Sequence, residues 1–161
     1  MVMLLLEAFR YQGYEVFCDD YYSSPSLFQV LLECGIYATG TLRVDRKDVP
    51  EDVKTLKVAL TGSKVVCGTG YYLREGDVYT CWRDSCPVLA MSVAYPGHAS
   101  DTKVTRRIVE PSTGTLQQQQ ISRPLIIEKY NKYMGGVDKS DIIMYSRRHC
   151  TTGRHSTTSL T

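Results

Sequence analysis

The stretch from Tyr14 to Val44 constrains the fold most. Tyr14-Glu15-Val16-Phe17-Cys18 reads as a strand and runs straight into Asp19-Asp20. A strongly punctuated helix follows. Ser24 suits its N-cap, Pro25 its first position and Gly35 the residue after its last turn, with Leu27, Phe28, Leu31 and Leu32 as its apolar stripe. Ile36 to Val44 is again extended, with Ile36, Ala38, Leu42 and Val44 on one face. Before this block, residues 2–12 read as a short helix with Leu4, Leu5, Ala8 and Phe9 on one side and Gly13 as its stop. After it come a charged turn over Asp45–Pro50 and a short helix over Glu51–Leu60.

The middle of the chain is strand-rich. Tyr71–Arg74, Val78–Trp82 and Val88–Ala94 are short, β-branched and aromatic, and separated by Glu-Gly-Asp and Asp-Ser-Cys-Pro turns. Residues 96–124 are polar and carry the run Gln117–Gln120, so they read as a loop or an inserted segment. The tail over 145–161 is rich in Ser, Thr, Arg and His without apolar periodicity and reads as disordered and basic. The expected architecture is α/β, a mixed sheet with helices packed on it, in one domain over 1–144.

Composition excludes several classes. At 161 residues, 43% apolar and 22% charged, the chain is long enough for a core and unlike a disordered or membrane protein. The opening MVMLLLEAF is broken at Glu7 and has no basic n-region, which argues against a signal peptide. The six cysteines form no Cys-x-x-Cys pair and then read as free thiols of a reducing compartment. Net charge is +2, but residues 1–101 hold 9 Lys/Arg against 13 Asp/Glu, and residues 102–161 hold 10 against 4. That asymmetry fits a polyanion-facing segment or simply solvated surface.

Two acidic clusters are candidates for chemistry: Asp19-Asp20 at a strand end, and Asp138 with Asp141, neighbours on one helical face. Facing carboxylates hold hard divalent cations, and a pair of such ions clamps the attacking and leaving oxygens of a phosphodiester. The same residues also serve as turn formers and N-caps. No nucleophile elbow or phosphate-binding glycine loop is present.

Four blocks resemble piggyBac-type transposases. Cys18-Asp19-Asp20-Tyr21-Tyr22-Ser23-Ser24 is similar to the family's Asp-Asn-aromatic-aromatic block. Gly35-Ile36-Tyr37-Ala38-Thr39-Gly40-Thr41-Leu42-Arg43 with Arg46-Lys47-Asp48-Val49-Pro50 is similar to its G-x-x-x-x-G-T-x-R-x-x-R-K-x-x-P. Trp82-Arg83-Asp84 resembles its Trp-basic-Asp hairpin. Tyr130-Asn131-Lys132-Tyr133-Met134-Gly135-Gly136-Val137-Asp138-Lys139-Ser140-Asp141 is similar almost residue for residue to its Y-N-x-x-M-G-G-V-D-x-x-D.

The resemblance implies an RNase H-like core in which three aspartates bind two Mg²⁺ ions for DNA nicking and strand transfer at TTAA sites. Carried over singly, the first catalytic, metal-binding aspartate is Asp19 and the third is Asp138, while Asp141 matches a further acid. The second position, at the end of strand Val88–Ala94, holds Tyr95. The nearest downstream acid is Asp101. A phenol is a poor ligand for a hard cation, so the resemblance implies an inactive centre that binds Mg²⁺ weakly or not at all. Arg43, Arg46, Lys47, Lys132 and Lys139 are the phosphate contacts expected of such a core, and DNA is the implied partner, in the nucleus. A domesticated DNA-binding or protein-interaction module without catalysis is the alternative. The family continues beyond Asp141 with a long helix and a zinc domain that Arg147-Arg148-His149-Cys150 does not match. The core is therefore expected to be incomplete at its C-terminal end, with one sheet face short of cover and a homodimer only if the missing regions are supplied.

Overall fold

A computed structural model describes residues 1–62, 67–68, 70–75, 77–84, 86–109 and 114–135. Asp138, Lys139, Asp141 and the tail over 145–161 lie outside the described residues. The chain opens with a one-turn helix α1 (Val2–Leu5) and a 3₁₀ turn (Glu7–Phe9). It continues as strand β1 (Glu15–Cys18), helix α2 (Pro25–Glu33), strand β2 (Tyr37–Thr41) and helix α3 (Glu51–Leu60). Strands β3 (Gly70–Glu75), β4 (Asp77–Arg83) and β5 (Pro87–Ser92) follow, then β6 (Ala99–Val109), β7 (Leu116–Pro124) and a helix α4 over residues 125–135.

Five strands form one mixed sheet in the order β1-β2-β5-β4-β3. Only β1 and β2 are parallel, Cys18 lying opposite Gly40. The crossover between them is α2, as a parallel pair requires. Its start is built as expected: the Ser24 hydroxyl accepts the Leu27 amide at 3.2 Å with Pro25 in the first turn, and Gly35 takes φ +68° after the last turn. Strand β5 runs antiparallel to β2, and Thr39 and Ser92 share a buried 2.7 Å hydroxyl hydrogen bond across that pair.

Period-2 alternation sends the strands' side chains to two cores. Tyr79, Cys81, Leu89 and Met91 join Phe28 and Leu31 of α2 and Val53 and Leu60 of α3 on one face. Trp82 and Ala90 join Ile121 of β7 and Ile126 and Ile127 of α4 on the other. Both faces therefore carry cover among the described residues. No helix described is long and apolar enough to cross a membrane.

Three local expectations are corrected. The N-terminal helix breaks after one turn, so its helical phase is lost: Leu4, Leu5 and Phe9 are exposed, and Met3 and Leu6 meet the core instead. Strand β5 stops at Ser92 rather than Ala94 because the Ser92 hydroxyl accepts the amides of Ala94 and Tyr95, both at 3.0 Å, and turns the chain. Within the segment expected to be a loop or an insert, residues 99–109 and 116–124 are not loop but the paired strands β6 and β7, with Val104 opposite Ile121 and Ile108 opposite Gln117. Alternate residues Val104 and Ile108 pack on the second core, which supplies the burial that a polar loop lacks. The helical face expected at Asp138 and Asp141 lies outside the described residues; α4 over 125–135 was not expected, and Ile126, Ile127, Tyr130 and Tyr133 fall at helical spacing within it.

Candidate nucleic-acid interface

The C-terminal ends of β1 and β2 lie side by side, and the residues that follow them share one edge of the sheet. Beyond Cys18 the chain turns tightly. The Asp19 carbonyl accepts the amides of Tyr22 and Ser23 at 3.1 and 3.0 Å and the Ser23 hydroxyl at 2.9 Å. The Asp19 carboxylate accepts the amide of the next residue, Asp20, at 2.7 Å. Gly40 is required beside it: a Cβ there would stand 2.4 Å from the Ser23 hydroxyl and 2.5 Å from the Cys18 carbonyl. Burial pushes the neighbouring Cys18 thiol up to about 11, so it is an inert packing group.

The cations after β2 close over this turn. Arg46 donates to the carbonyl of Asp20 at 3.1 Å and to that of Tyr21. Arg43 grips Asp45 with two hydrogen bonds of 3.1 and 2.8 Å, and that guanidinium holds the Asp45 carboxyl below its ordinary value. Together Tyr21, Arg43, Asp45, Arg46 and Lys47 line an open pocket of about 510 Å³. Three of the five cations expected to meet DNA thus share one site, at the Asp20–Tyr21 turn. A pocket with three cations, one carboxylate and a phenol suits an anion such as a backbone phosphate.

Lys132 is exposed on α4 with its ammonium 5.1 Å from the Tyr133 ring. Tyr133 stacks on Phe17 of β1 at 4.6 Å between centroids, so Lys132 stands near β1 but does not line the pocket. Tyr21 and Asp45 were not singled out from the sequence. Tyr21 sits inside the Asp19 block, so its position was the available signal.

Tyr95 departs from the expectation that it stands in for an acid beside Asp19. Because β5 is antiparallel to β2, its end points to the start of β1, where the Tyr95 hydroxyl donates to Glu15 at 2.5 Å. Glu15 and Asp19 are four residues apart on an extended segment, or about 13 Å. Desolvation, and then the Glu15 carboxylate, raise the phenol well above its ordinary value, so it stays protonated and neutral. Asp101 is exposed on β6, in the two-stranded sheet, and not on the sheet that carries Asp19. No group of three or more metal-ligating side chains occurs among the described residues. Of the implied acids only Asp19 is described, since Asp138 and Asp141 lie outside the described residues, and no catalytic step follows from it.

The family model described as transposase IS4 matches residues 1–161. The chain is 28% identical over 148 residues to the human PiggyBac transposable element-derived protein 2, covering 88% of this chain and 23% of that protein. It is 30% identical over 141 residues to the human PiggyBac transposable element-derived protein 3, covering 85% and 22%. It thus spans less than a quarter of the length of these relatives, and no solved structure matches it. With the Asp19 block and the Tyr130–Asp141 block both in place, the chain belongs to the transposase IS4 family and is similar to the piggyBac-derived proteins.

Proposed function

We propose that this chain is part of a piggyBac-type transposase catalytic domain of RNase H-like fold, ancestrally a Mg²⁺-dependent cutter of DNA at TTAA sites. In this reading it no longer catalyses and still faces DNA in the nucleus. The observation that carries the DNA-facing half is the pocket in which Arg43, Arg46 and Lys47 converge with Tyr21 and Asp45. Support for lost catalysis comes from Tyr95, a neutral phenol bonded to Glu15 at the far end of β1.

The test is DNA binding by the purified chain, titrated with salt. Each phosphate neutralised contributes about 0.9 to the slope of log affinity against log salt, so Arg43→Ala with Lys47→Ala lowers the slope by about 1.8. Arg46 is left intact because it holds the Asp20–Tyr21 turn. Absence of binding at low salt overturns the DNA reading. Mg²⁺-dependent nicking lost in Asp19→Ala overturns the inactive one.

A further inference from the structure

The β6–β7 ribbon has two unlike faces. Inward, Val104, Ile108 and Ile121 pack on the second core. The inward cation Arg106 is fully engaged, its guanidinium bonding Asp84 at 2.6 and 2.9 Å. Near the ribbon's base Arg123 lies 4.0 Å from Glu128, whose carboxylate also accepts the hydroxyls of Ser100 and Thr102. Outward, three directly opposed pairs line up: Lys103 with Ser122, Thr105 with Gln120 and Arg107 with Gln118. All six are exposed. No carboxylate occurs in 103–109 or 116–122, and neither Lys103 nor Arg107 has an ion pair among the described residues.

A ribbon with one buried face ordinarily turns polar residues outward, but here both outward cations stand with no carboxylate in 103–109 or 116–122 to pair them. Negative charge and hydrogen-bonding edges on a partner would account for them. We propose that the outward face of this ribbon is a duplex-DNA contact surface that docks in the major groove, separate from the Arg43–Lys47 pocket and resting on the DNA-facing reading above. The major groove, about 12 Å wide, admits a two-stranded ribbon whose strands are about 4.8 Å apart. Lys103 and Arg107 complement phosphates. The amides of Gln118 and Gln120 each offer a donor and an acceptor, the combination that meets adenine in that groove. The stem holds the ribbon rigid: the Arg106–Asp84 pair and the apolar inward face fix it to the sheet before any partner arrives, which lowers the cost of ordering it on binding.

The experiment compares the full chain with two double variants on a short random-sequence duplex, by fluorescence anisotropy across a salt series. Lys103→Ala with Arg107→Ala lowers the salt slope by about 1.8. Gln118→Ala with Gln120→Ala weakens binding at an unchanged slope. Equal thermal midpoints for all three chains show that the fold is intact, and Arg106→Ala, which breaks the stem, supplies the contrasting case of a lowered midpoint. If the unaltered chain binds and both double variants match it in affinity and slope, the ribbon proposal fails and the DNA reading survives through the pocket. Tighter binding to single strands than to duplex also overturns the groove assignment. No binding by the unaltered chain at low salt overturns both.

Discussion

The Tyr95 hydroxyl and the Glu15 carboxylate are joined by a 2.5 Å hydrogen bond at the end of β1 remote from Asp19. The Lys129 ammonium lies over the ring face, 5.5 Å from its centre. Tyr95 thereby links the segment after β5 to the first strand and to α4. Tyr95 is thus a structural tie.

Removing that tie tests its role. Tyr95→Phe costs about 1 kcal/mol of stability in urea unfolding, the ordinary worth of one hydrogen bond. Tyr95→Asp costs more at neutral pH because it sets a second carboxylate against Glu15, and part of the loss is recovered as pH falls into the carboxylate range. Calorimetry on Tyr95→Asp shows no gain in Mg²⁺ binding, since the new acid lies far from Asp19. A clear gain that also disappears in Asp19→Ala would show the two positions to be neighbours.

Gly40→Ala probes the close approach of β1 and β2. Its new methyl meets the Cys18 carbonyl and the Ser23 hydroxyl well inside contact distance, and Phe28 at 3.2 Å. Backbone on one side and a buried aromatic on the other leave little room to yield. The expected cost is about 1–3 kcal/mol, the range for overpacking, and is read as a lowered thermal midpoint.

Asp77 is 8% exposed and accepts a hydrogen bond from the Gln29 amide. Desolvation raises its carboxyl above the ordinary value. The folded chain therefore takes up this proton more readily than the unfolded one. Its favourable contribution is complete below the ordinary aspartate value of about 3.9 and is lost as pH rises through the raised folded value. Asp77→Asn retains an acceptor for Gln29 without the charge. It stabilises the chain at neutral pH and has a smaller effect in acid, as thermal melts at the two extremes will show.

Glu128 has the opposite sign. Hydrogen bonds from Ser100 and Thr102 lower its carboxyl, with Arg123 adding to them. Its stabilising contribution is complete above the ordinary glutamate value of about 4.3 and disappears as pH falls through the lowered folded value. Glu128→Gln flattens the acid limb of the stability curve and loosens the base of the ribbon. Amide exchange over 99–104 is the direct measure, and unchanged protection there would show that Glu128 does not anchor it.

The parts of the fold written in local chemistry were legible. Ser24, Pro25 and Gly35 mark α2 because capping and left-handed backbone are properties of single residues. The ribbon was not legible, because its apolar signal is only Val104, Ile108 and Ile121 among glutamines, threonines and cations. Its inward Arg106 is stabilised by a partner 22 residues away. At the site, the Asp19 block and the cations Arg43, Arg46 and Lys47 were visible in the sequence. That Tyr95 meets Glu15 was not, since it depends on the direction in which β5 pairs with β2.

The seam between β2 and β5 also has a kinetic consequence. Strands β3, β4 and β5 are successive hairpin partners, and β1, α2 and β2 form one local crossover unit, so each half assembles from contacts close in sequence. The halves meet where Thr39 bonds Ser92, 53 residues apart. Closing that span incurs its loop entropy before the β2–β5 ladder and the shared core offset it. The rate of folding is thus governed at this junction. Substitutions at Thr39 or Ser92 will slow refolding, while those within a single hairpin will chiefly hasten unfolding.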